Sequence, residues 1–275
     1  MLLREVEYAR PANVEDAVRL LAQHPNARAL AGGQTLVNVM KARAASPDVL
    51  VDLNDLDDLR AIRATPDGGL ELGAMATYTD VIDSPEVAEL RPVLAQVTST
   101  IADVQVRNRG TIGGNVCSND PTNHLPPLML TMGAQMTIAG QEGERSVPAE
   151  EFFLGVYLTA CGPGELLTKV LVPPAPGGDG FAAVTIGREG TCIVNAAASA
   201  VDGQARLAIG CVSAVPVLIT TAVDEDAAAR AVREAELDPP ADVHASAEYR
   251  VHLAEVLARR ALRQAAESEV PRVDR

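Results

Sequence analysis

A run of proline and glycine at residues 173–180 is the feature that most constrains how this chain folds. Proline fixes its own φ angle and lacks an amide donor, so neither a helix nor a central strand continues through such a run. We therefore predict a division of the 275-residue chain into residues 1–175 and residues 178–275. The first part is itself expected to contain two smaller units, at about residues 1–55 and 56–175.

The hydrophobic pattern before this run predicts a mixed α+β arrangement. Residues 14–22 have helical spacing behind Asn13, a residue type that caps helices, and residues 37–45 also suit a helix. Short apolar runs at residues 27–31 and 48–53 predict strands. Further strand-like segments lie at residues 59–64, 69–73, 128–130, 135–139 and 166–172, with helices beginning at Tyr78 and Pro92.

After the run, three strand-like segments at residues 181–186, 193–201 and 206–212 predict a three-stranded antiparallel sheet. Helices are expected at residues 222–235 and 249–266. The last helix has an apolar face, which we expect to pack mainly on its own sheet; docking to a partner is the alternative. That face comprises Val251, Leu253, Val256 and Leu257.

Composition and charge exclude several classes of protein. Apolar residues make up 47% of the chain but aromatic residues only 3%, so the core must be built from Leu, Val, Ile and Ala. A net charge of −14 would repel nucleic-acid phosphates. No segment approaches the roughly 20 apolar residues of a membrane span, and residues 1–10 carry acids, unlike a signal peptide. We expect a cytoplasmic protein.

The four cysteines, Cys117, Cys161, Cys192 and Cys211, are widely spaced and form no CxxC pattern. Iron–sulfur and structural zinc sites usually have clustered ligands. We therefore expect no metal site in this chain and four reduced thiols. Only Cys117 lies within a motif that suggests chemistry.

Two glycine-containing loops are the motifs that suggest chemistry. The first is Ala-Gly-Gly-Gln-Thr-Leu at residues 31–36, between a predicted strand and a predicted helix. The second is Gly-Thr-Ile-Gly-Gly-Asn at residues 110–115, followed by Asp120-Pro121. Without a Cβ, glycine backbone can approach a ligand closely, and successive amides at such a turn can bind an anion. Each loop taken singly is also compatible with an ordinary tight turn.

Together the loops favour one elongated, phosphate-bearing cofactor held from two sides. The chain has neither the Walker lysine motif nor the GxGxxG pattern, which argues against P-loop and Rossmann sites.

The sequence resembles the FAD-binding medium subunits of the carbon monoxide dehydrogenase, xanthine dehydrogenase and nicotine dehydrogenase family. Besides the two loops, the resemblance rests on Met-Lys-Ala-Arg at residues 40–43, Arg-Asn-Arg at 107–109 and Gly-Glu-Leu-Leu at 164–167. Tyr249-Arg250 and Arg-Arg-Ala-Leu at 259–262 extend it through the tail, so it covers nearly the whole chain.

The resemblance implies a vanillyl-alcohol-oxidase-like FAD domain in two subdomains, followed by the C-terminal domain. It implies FAD bound without a covalent link and no catalytic residue of the chain's own. The residues that it implies for FAD are Ala29, Leu30, Ala31, Gly32, Gly33, Gln34, Thr35, Leu36, Ile101, Thr111, Ile112, Gly113, Gly114, Asn115, Asp120, His124 and Leu167, with Leu166 as an alternative to Leu167.

Two departures from the family pattern stand out. His124 occupies a position where relatives often have an acidic residue. Instead of contacting the cofactor, His124 can be an ordinary loop residue held by hydrogen bonds. No lysine lies near Ala183, where relatives often have one, and Arg188 is the nearest cation.

The function that the resemblance implies is an electron relay in a heterotrimeric molybdenum hydroxylase. A small subunit would carry [2Fe-2S] clusters and a large subunit molybdopterin, in a dimer of heterotrimers. Two other functions remain open: a self-contained flavin oxidase or reductase, and a non-enzymatic scaffold. The sequence indicates neither the substrate of the complex nor the final electron acceptor.

Overall fold

The computed structural model describes residues 3–175, 177–187 and 190–268. Its first unit is a parallel three-stranded sheet in the order β1-β3-β2, formed by β1 (Glu7–Ala9), β2 (Arg28–Leu30) and β3 (Val49–Asp52). Helix α1 (Val14–Gln23) joins the first two strands and α2 (Leu36–Lys41) follows the second. The predicted α1 is confirmed, and the Asn13 side chain caps it by accepting from the Asp16 amide at 2.8 Å.

The second unit is an antiparallel five-stranded sheet in the order β4-β5-β10-β6-β7. Its strands are β4 (Ile62–Ala64), β5 (Leu70–Gly73), β6 (Gln135–Gly140), β7 (Gly143–Pro148) and β10 (Leu166–Val172). Helices cover it, and a small hairpin, β8 (Phe153–Gly155) and β9 (Leu158–Thr159), projects from it. These helices are α3 (Tyr78–Asp83), α4 (Pro85–Leu90), α5 (Pro92–Thr98), α6 (Val104–Arg107), α7 (Ile112–Ser118), α8 (Leu125–Thr131) and α9 (Ala149–Phe152).

The C-terminal part is a four-stranded antiparallel meander with two helices on one face. The strands are β11 (Asp179–Thr185), β12 (Cys192–Val201), β13 (Gln204–Gly210) and β14 (Val217–Ala222), and the helices are α10 (Glu225–Glu234) and α11 (Ala247–Glu267). Alternate residues of β12 face opposite ways: Ala196 and Ala198 contact the helices, whereas Ala197 packs into the core of the second unit beside α8. The sheet is thus the middle of three layers.

The prediction of three C-terminal strands is wrong, because β14 is a fourth. This strand lies at the sheet edge and is half exposed, and its Thr220 and Thr221 interrupt the apolar run that marks a buried strand. Helix α10 therefore begins later than predicted, at Glu225, where Asp224 caps it. Helix α11 packs on the sheet through Leu253 and Leu257, as its pattern indicated.

Two further predictions fail in the second unit. Residues 128–130, interpreted as core with strand character, belong to helix α8, whose first turn contains Pro126 and Pro127. A three-residue apolar run cannot distinguish a strand from a helix, and proline is tolerated in a first turn. The strand predicted at residues 59–64 is a 3-10 turn, Asp57–Arg60, followed by β4.

Candidate functional site

The first glycine loop leaves the end of β2 and turns into α2. Gly33 has a φ of +72°, in the left-handed region that glycine occupies without penalty. The Asn54 side-chain amide donates to the Ala31 carbonyl at 3.2 Å, and the Gln34 side-chain amide donates to the Gly32 carbonyl at 3.1 Å. The loop is therefore held in one shape by neighbouring amides, and the Gln34 amide group is occupied within it.

A carboxylate beside this loop has a depressed pKa. Asp52 ends β3 and accepts hydrogen bonds from the Tyr8 hydroxyl and from the backbone and side chain of Asn54. Burial alone would raise the pKa of Asp52, but these hydrogen bonds outweigh it and lower the pKa. Asp52 is thus an anion that anchors Asn54, and through Asn54 the first loop.

The second loop begins helix α7. The Thr111 hydroxyl caps this helix by accepting from the Gly114 amide at 3.0 Å. Gly113 is a packing residue: its amide donates to the Ala74 carbonyl at 2.9 Å, and a Cβ there would lie 2.6 Å from the Ala74 Cβ. Gly114 is exposed, so it is the glycine of this pair that borders open space.

The two loops touch. A Cβ on Gly32 would lie 1.9 Å from the carbonyl oxygen of Arg109, a contact that only glycine allows. A Cβ on Gly114 would lie 4.0 Å from the Ala31 Cβ. Segments that are far apart in the sequence therefore form one backbone-walled surface, as the expectation of a grip from two sides requires.

Exposed basic residues lie close in the sequence to both loops, in a chain that is strongly acidic as a whole. Lys41 ends α2 and is exposed, as is Arg109 immediately before the second loop. Arg107 donates to the Ile101 carbonyl at 3.1 Å, which fixes the segment in which Ile101 lies half-buried. Basic side chains beside glycine-rich backbone suit a phosphate-bearing ligand.

Asn115 points into the protein. Its side chain is 7% exposed, and its amide group donates to the Tyr78 hydroxyl at 2.8 Å. Burial raises the pKa of Tyr78, and the hydrogen bond from Asn115 opposes that rise. Asn115 therefore ties α7 to α3 through its side-chain nitrogen, whereas its Oδ1 is buried without a hydrogen-bond partner among the residues that the structure describes, so the expected contact with a cofactor stays a prediction.

The segment after α7 is tied to the β8–β9 hairpin. Asn119 adopts a φ of +39° and donates to the Gly155 carbonyl at 2.7 Å. Asp120 accepts from the Thr122 amide at 2.9 Å and from the Tyr157 hydroxyl at 3.0 Å. The Asp120 carboxylate is thus already engaged by this chain.

His124 is buried and partnered. Its Nδ1 lies 3.2 Å from the side-chain nitrogen of Asn195, and its ring packs on Phe181 with centroids 5.2 Å apart. This geometry matches the hydrogen-bonded loop histidine that the sequence left open. Leu167 is also buried, within the core of the second unit, and Leu166 lies in the core beneath the first sheet. Arg188 lies outside the described residues.

The cysteines form two pairs in space, a feature that sequence spacing did not reveal. The thiols of Cys117 and Cys161 lie close enough to shift each other's pKa, as do those of Cys192 and Cys211. In each pair the interaction between the thiols lowers the pKa of one thiol, Cys161 or Cys192, and raises that of its partner well above the usual range. All four are free thiols. The partners lie on different strands or loops, so no local motif could have identified them.

Within the described ranges, no group of three or more His, Cys, Asp or Glu residues is arranged to hold a metal ion. None of the helices that the structure describes combines the length and the apolar character needed to cross a bilayer.

Two family models match the chain. Residues 4–175 match the FAD binding domain in molybdopterin dehydrogenase, and residues 180–265 match the CO dehydrogenase flavoprotein C-terminal domain. The chain therefore belongs to the FAD-binding subunits of the molybdopterin dehydrogenases, which are oxidoreductases. The family resemblance inferred from the sequence is confirmed.

Individual relatives agree with this family. The chain is 38% identical to the carbon monoxide dehydrogenase medium chain of Afipia carboxidovorans, over 96% of this chain and 98% of that one. It is 32% identical to the nicotine 6-hydroxylase medium subunit of Paenarthrobacter nicotinovorans, over 96% and 99%.

Solved structures agree as well. A chain of the Hydrogenophaga pseudoflava carbon monoxide dehydrogenase that lacks the Mo-pyranopterin moiety superposes with a TM-score of 0.92 at 33% identity. That likeness covers 98% of this chain and all of the other.

Proposed function

We propose that this chain is the FAD-carrying electron-transfer subunit of a heterotrimeric molybdenum hydroxylase. It would receive electrons from [2Fe-2S] clusters of a small subunit and deliver them to an external acceptor. The single observation that carries the proposal is the contact between the two glycine loops, because it creates one surface for an elongated phosphate-bearing cofactor. FAD accepts and releases electrons one or two at a time, which is the chemistry that a relay needs.

The residues of the two loops fit a diphosphate. Gly33 with its positive φ and exposed Gly114 leave backbone uncovered on either side of the Gly32–Arg109 contact, with exposed Arg109 immediately before the second loop as a cation. We assign the FAD contacts to residues 29–36, 101, 111–115, 120, 124 and 167. Within this set, Asn115, Asp120 and His124 also form hydrogen bonds to other side chains of the chain, which suits residues that position the FAD site. Leu167 is buried, which suits the same role.

We infer the division of the chain from its separate sheets. Residues 1–175 would be a vanillyl-alcohol-oxidase-like FAD-binding domain, with subdomains at about 1–55 and 56–175, and residues 178–275 the C-terminal flavoprotein domain. The parallel and the five-stranded sheet support the two subdomains, and the four-stranded sheet supports the C-terminal domain.

The partners would be an iron–sulfur small subunit and a molybdopterin-containing large subunit, in a cytoplasmic dimer of heterotrimers. Relatives that are a medium chain or a medium subunit support the presence of partner subunits. They favour such a complex over a self-contained flavin oxidase or reductase, which would also require its own substrate domain.

An apolar hairpin beside the proposed site fits the iron–sulfur subunit. Leu154, Val156, Tyr157 and Leu158 are each 50–62% exposed, and contiguous exposed apolar residues mark interaction sites. The hairpin is hydrogen-bonded to the Asn119–Asp120 segment that follows helix α7, so a partner seated on it would sit next to the second glycine loop. Electrons that enter from outside the chain need such a nearby contact.

The relay is tested by comparing the purified chain with the reconstituted complex. The chain alone, loaded with FAD, should transfer electrons from NADH to a dye at most, and no aldehyde or heterocycle should reduce its flavin. Addition of both partner subunits should restore substrate-dependent bleaching of the flavin spectrum. Turnover of an organic substrate by the single chain at ordinary enzyme rates would overturn the relay and favour the self-contained flavin enzyme.

A further inference from the structure

The Cys192–Cys211 pair lies in a cavity that also borders residues 121–122, between the assigned FAD residues Asp120 and His124. The cavity has a volume of about 300 Å³ and is lined by both cysteines together with Thr122, Arg250 and His244, among others. Both thiols are nearly inaccessible at the outer surface, at 3% and 5% exposure, so this cavity is their route to small molecules. A water occupies about 30 Å³ in the liquid, so a molecule of similar size fits easily.

Polar neighbours differentiate the two thiols. The Cys192 thiol donates to the Val184 carbonyl at 3.6 Å, and the Asn195 side chain donates to the Cys211 sulfur at 3.9 Å. The same Asn195 nitrogen lies 3.2 Å from His124 Nδ1, so a histidine and an amide side chain lie next to the thiol pair. Cys211 has a φ of +66°, a conformation that non-glycine residues seldom adopt and that often marks functional positions.

We propose that Cys192 and Cys211 form a peroxide-sensitive dithiol site, with Cys192 as the thiol attacked first and Cys211 as the resolving thiol. The Cys192 thiolate attacks one oxygen of hydrogen peroxide; the S–O bond forms, the O–O bond breaks, and hydroxide leaves to become water. The Cys211 sulfur then attacks the Cys192 sulfenic acid; the S–S bond forms and a second water leaves. Two thiols lose two electrons and the peroxide gains them.

The difference in pKa between the two thiols supports this order. The neighbouring Cys211 thiol lowers the pKa of Cys192 against the opposing effect of burial, and His124 lowers it further, whereas the pKa of Cys211 is raised. The thiolate is the reactive form, so Cys192 is the nucleophile. Metal binding is not the better explanation, because the described residues supply no third ligand.

Stoichiometric hydrogen peroxide applied to the purified full-length chain, followed by tryptic mapping, tests the proposal. Cleavage after Arg188 and Arg206 places the two cysteines in different peptides, so their disulfide appears as a reducible cross-link that has lost two hydrogens. A sulfenic-acid probe should label Cys192 several-fold more strongly in Cys211→Ser than in the unaltered chain. The matched control, Cys117→Ser, should leave the Cys192–Cys211 cross-link unchanged.

Three outcomes would overturn the proposal: no cross-link in the folded wild-type chain, oxidation that begins at the Cys117–Cys161 pair, or equal labelling of Cys192 with and without Cys211. The wild-type cross-link does not depend on the variants folding. None of these readouts uses bound FAD, so failure here would leave the proposed electron relay unaffected.

Discussion

Arg91 and Asp179 form a buried ion pair that joins the second unit to the C-terminal sheet. Arg91 Nη1 lies 2.6 Å from Asp179 Oδ2, and the two side chains are only 2% and 8% exposed. Arg91 also donates to the Pro173 carbonyl at 2.8 Å. One guanidinium therefore holds both ends of the proline- and glycine-rich run at residues 173–180.

Removal of the cation should strongly destabilise the chain. Arg91→Ala leaves the Asp179 carboxylate buried without its partner, and breaking a buried pair in this way costs about 3–5 kcal/mol. Urea unfolding followed by circular dichroism measures the loss. The control is Arg263→Ala, which breaks the exposed Arg263–Glu225 pair and should cost much less.

The double variant sharpens this prediction. Arg91→Ala combined with Asp179→Ala removes both charges, so it should be less destabilised than the sum of the two single variants. Equal losses for Arg91→Ala and Arg263→Ala, or strict additivity in the double variant, would contradict the role given to the pair.

Gly114→Val should abolish FAD binding while the fold survives. A Cβ at this exposed position would lie 2.9 Å from Thr111 Oγ1, so the Thr111 side chain must shift, and the valine methyl groups would enter the space beside Ala31 that is assigned to the diphosphate. Flavin content per chain, read from the visible spectrum, measures the effect. Gly140→Val is a suitable control, because its Cβ would have only ordinary contacts at 3.5 Å or more, near Glu165. A Gly114→Val protein with full flavin content would show that the second loop is wrongly assigned.

The flavin should be released by acid. The family resemblance implies FAD without a covalent link, and His124 is buried with its ring against Phe181 and its Nδ1 beside Asn195. After precipitation with acid, the yellow colour should appear in the supernatant. Colour that remains in the pellet would reveal a covalent link.

Leu154→Ser combined with Leu158→Ser should weaken co-purification with the iron–sulfur subunit. Both side chains are 56% exposed, so the change should affect partner binding and leave folding intact. Flavin content should stay at the wild-type level. Leu3→Ser is the control, since Leu3 is also a partly exposed leucine, at 36%, but precedes strand β1 of the first unit. If both variants retained the partner equally, the hairpin would not be the contact.

Cys192 should alkylate at a lower pH than an ordinary thiol. Its pKa is lowered, so the thiolate persists as the pH falls below the usual value of about 8.5 and is lost only on further acidification. Cys211, His124 and Asn195 face Cys192, and Arg250 and Asp120 act on Cys211. Peptide mapping after iodoacetamide pulses at several pH values gives the midpoint. Cys211→Ala should raise this midpoint. A midpoint at or above about 8.5 in the unaltered chain, or a midpoint that Cys211→Ala leaves unchanged, would contradict the assignment of Cys192 as the more acidic thiol.

The sequence predicted the parts of this fold that local patterns determine. The Asn13 cap and the glycine turn after β2 each depend on the backbone preferences of a few neighbouring residues. The edge strand β14 was missed because half-exposed strands lack a distinctive apolar pattern. The contact of Asn115 with Tyr78 and the two thiol pairs were not predicted, because they depend on partners distant in the chain.

The contact between Gly32 and Arg109 has a thermodynamic consequence. The two glycine loops belong to different sheets, so a ligand that spans them binds only when the sheets are correctly docked. Because binding and docking are thermodynamically linked, each stabilises the other by the same free energy: docking of the sheets increases the affinity for the ligand, and the bound ligand stabilises the docked arrangement equally. At a free concentration one hundred times its dissociation constant, such a ligand adds about 2.7 kcal/mol to the free energy of unfolding. The cofactor would thus act as a non-covalent cross-link, and the chain's resistance to unfolding would depend on how much flavin surrounds it.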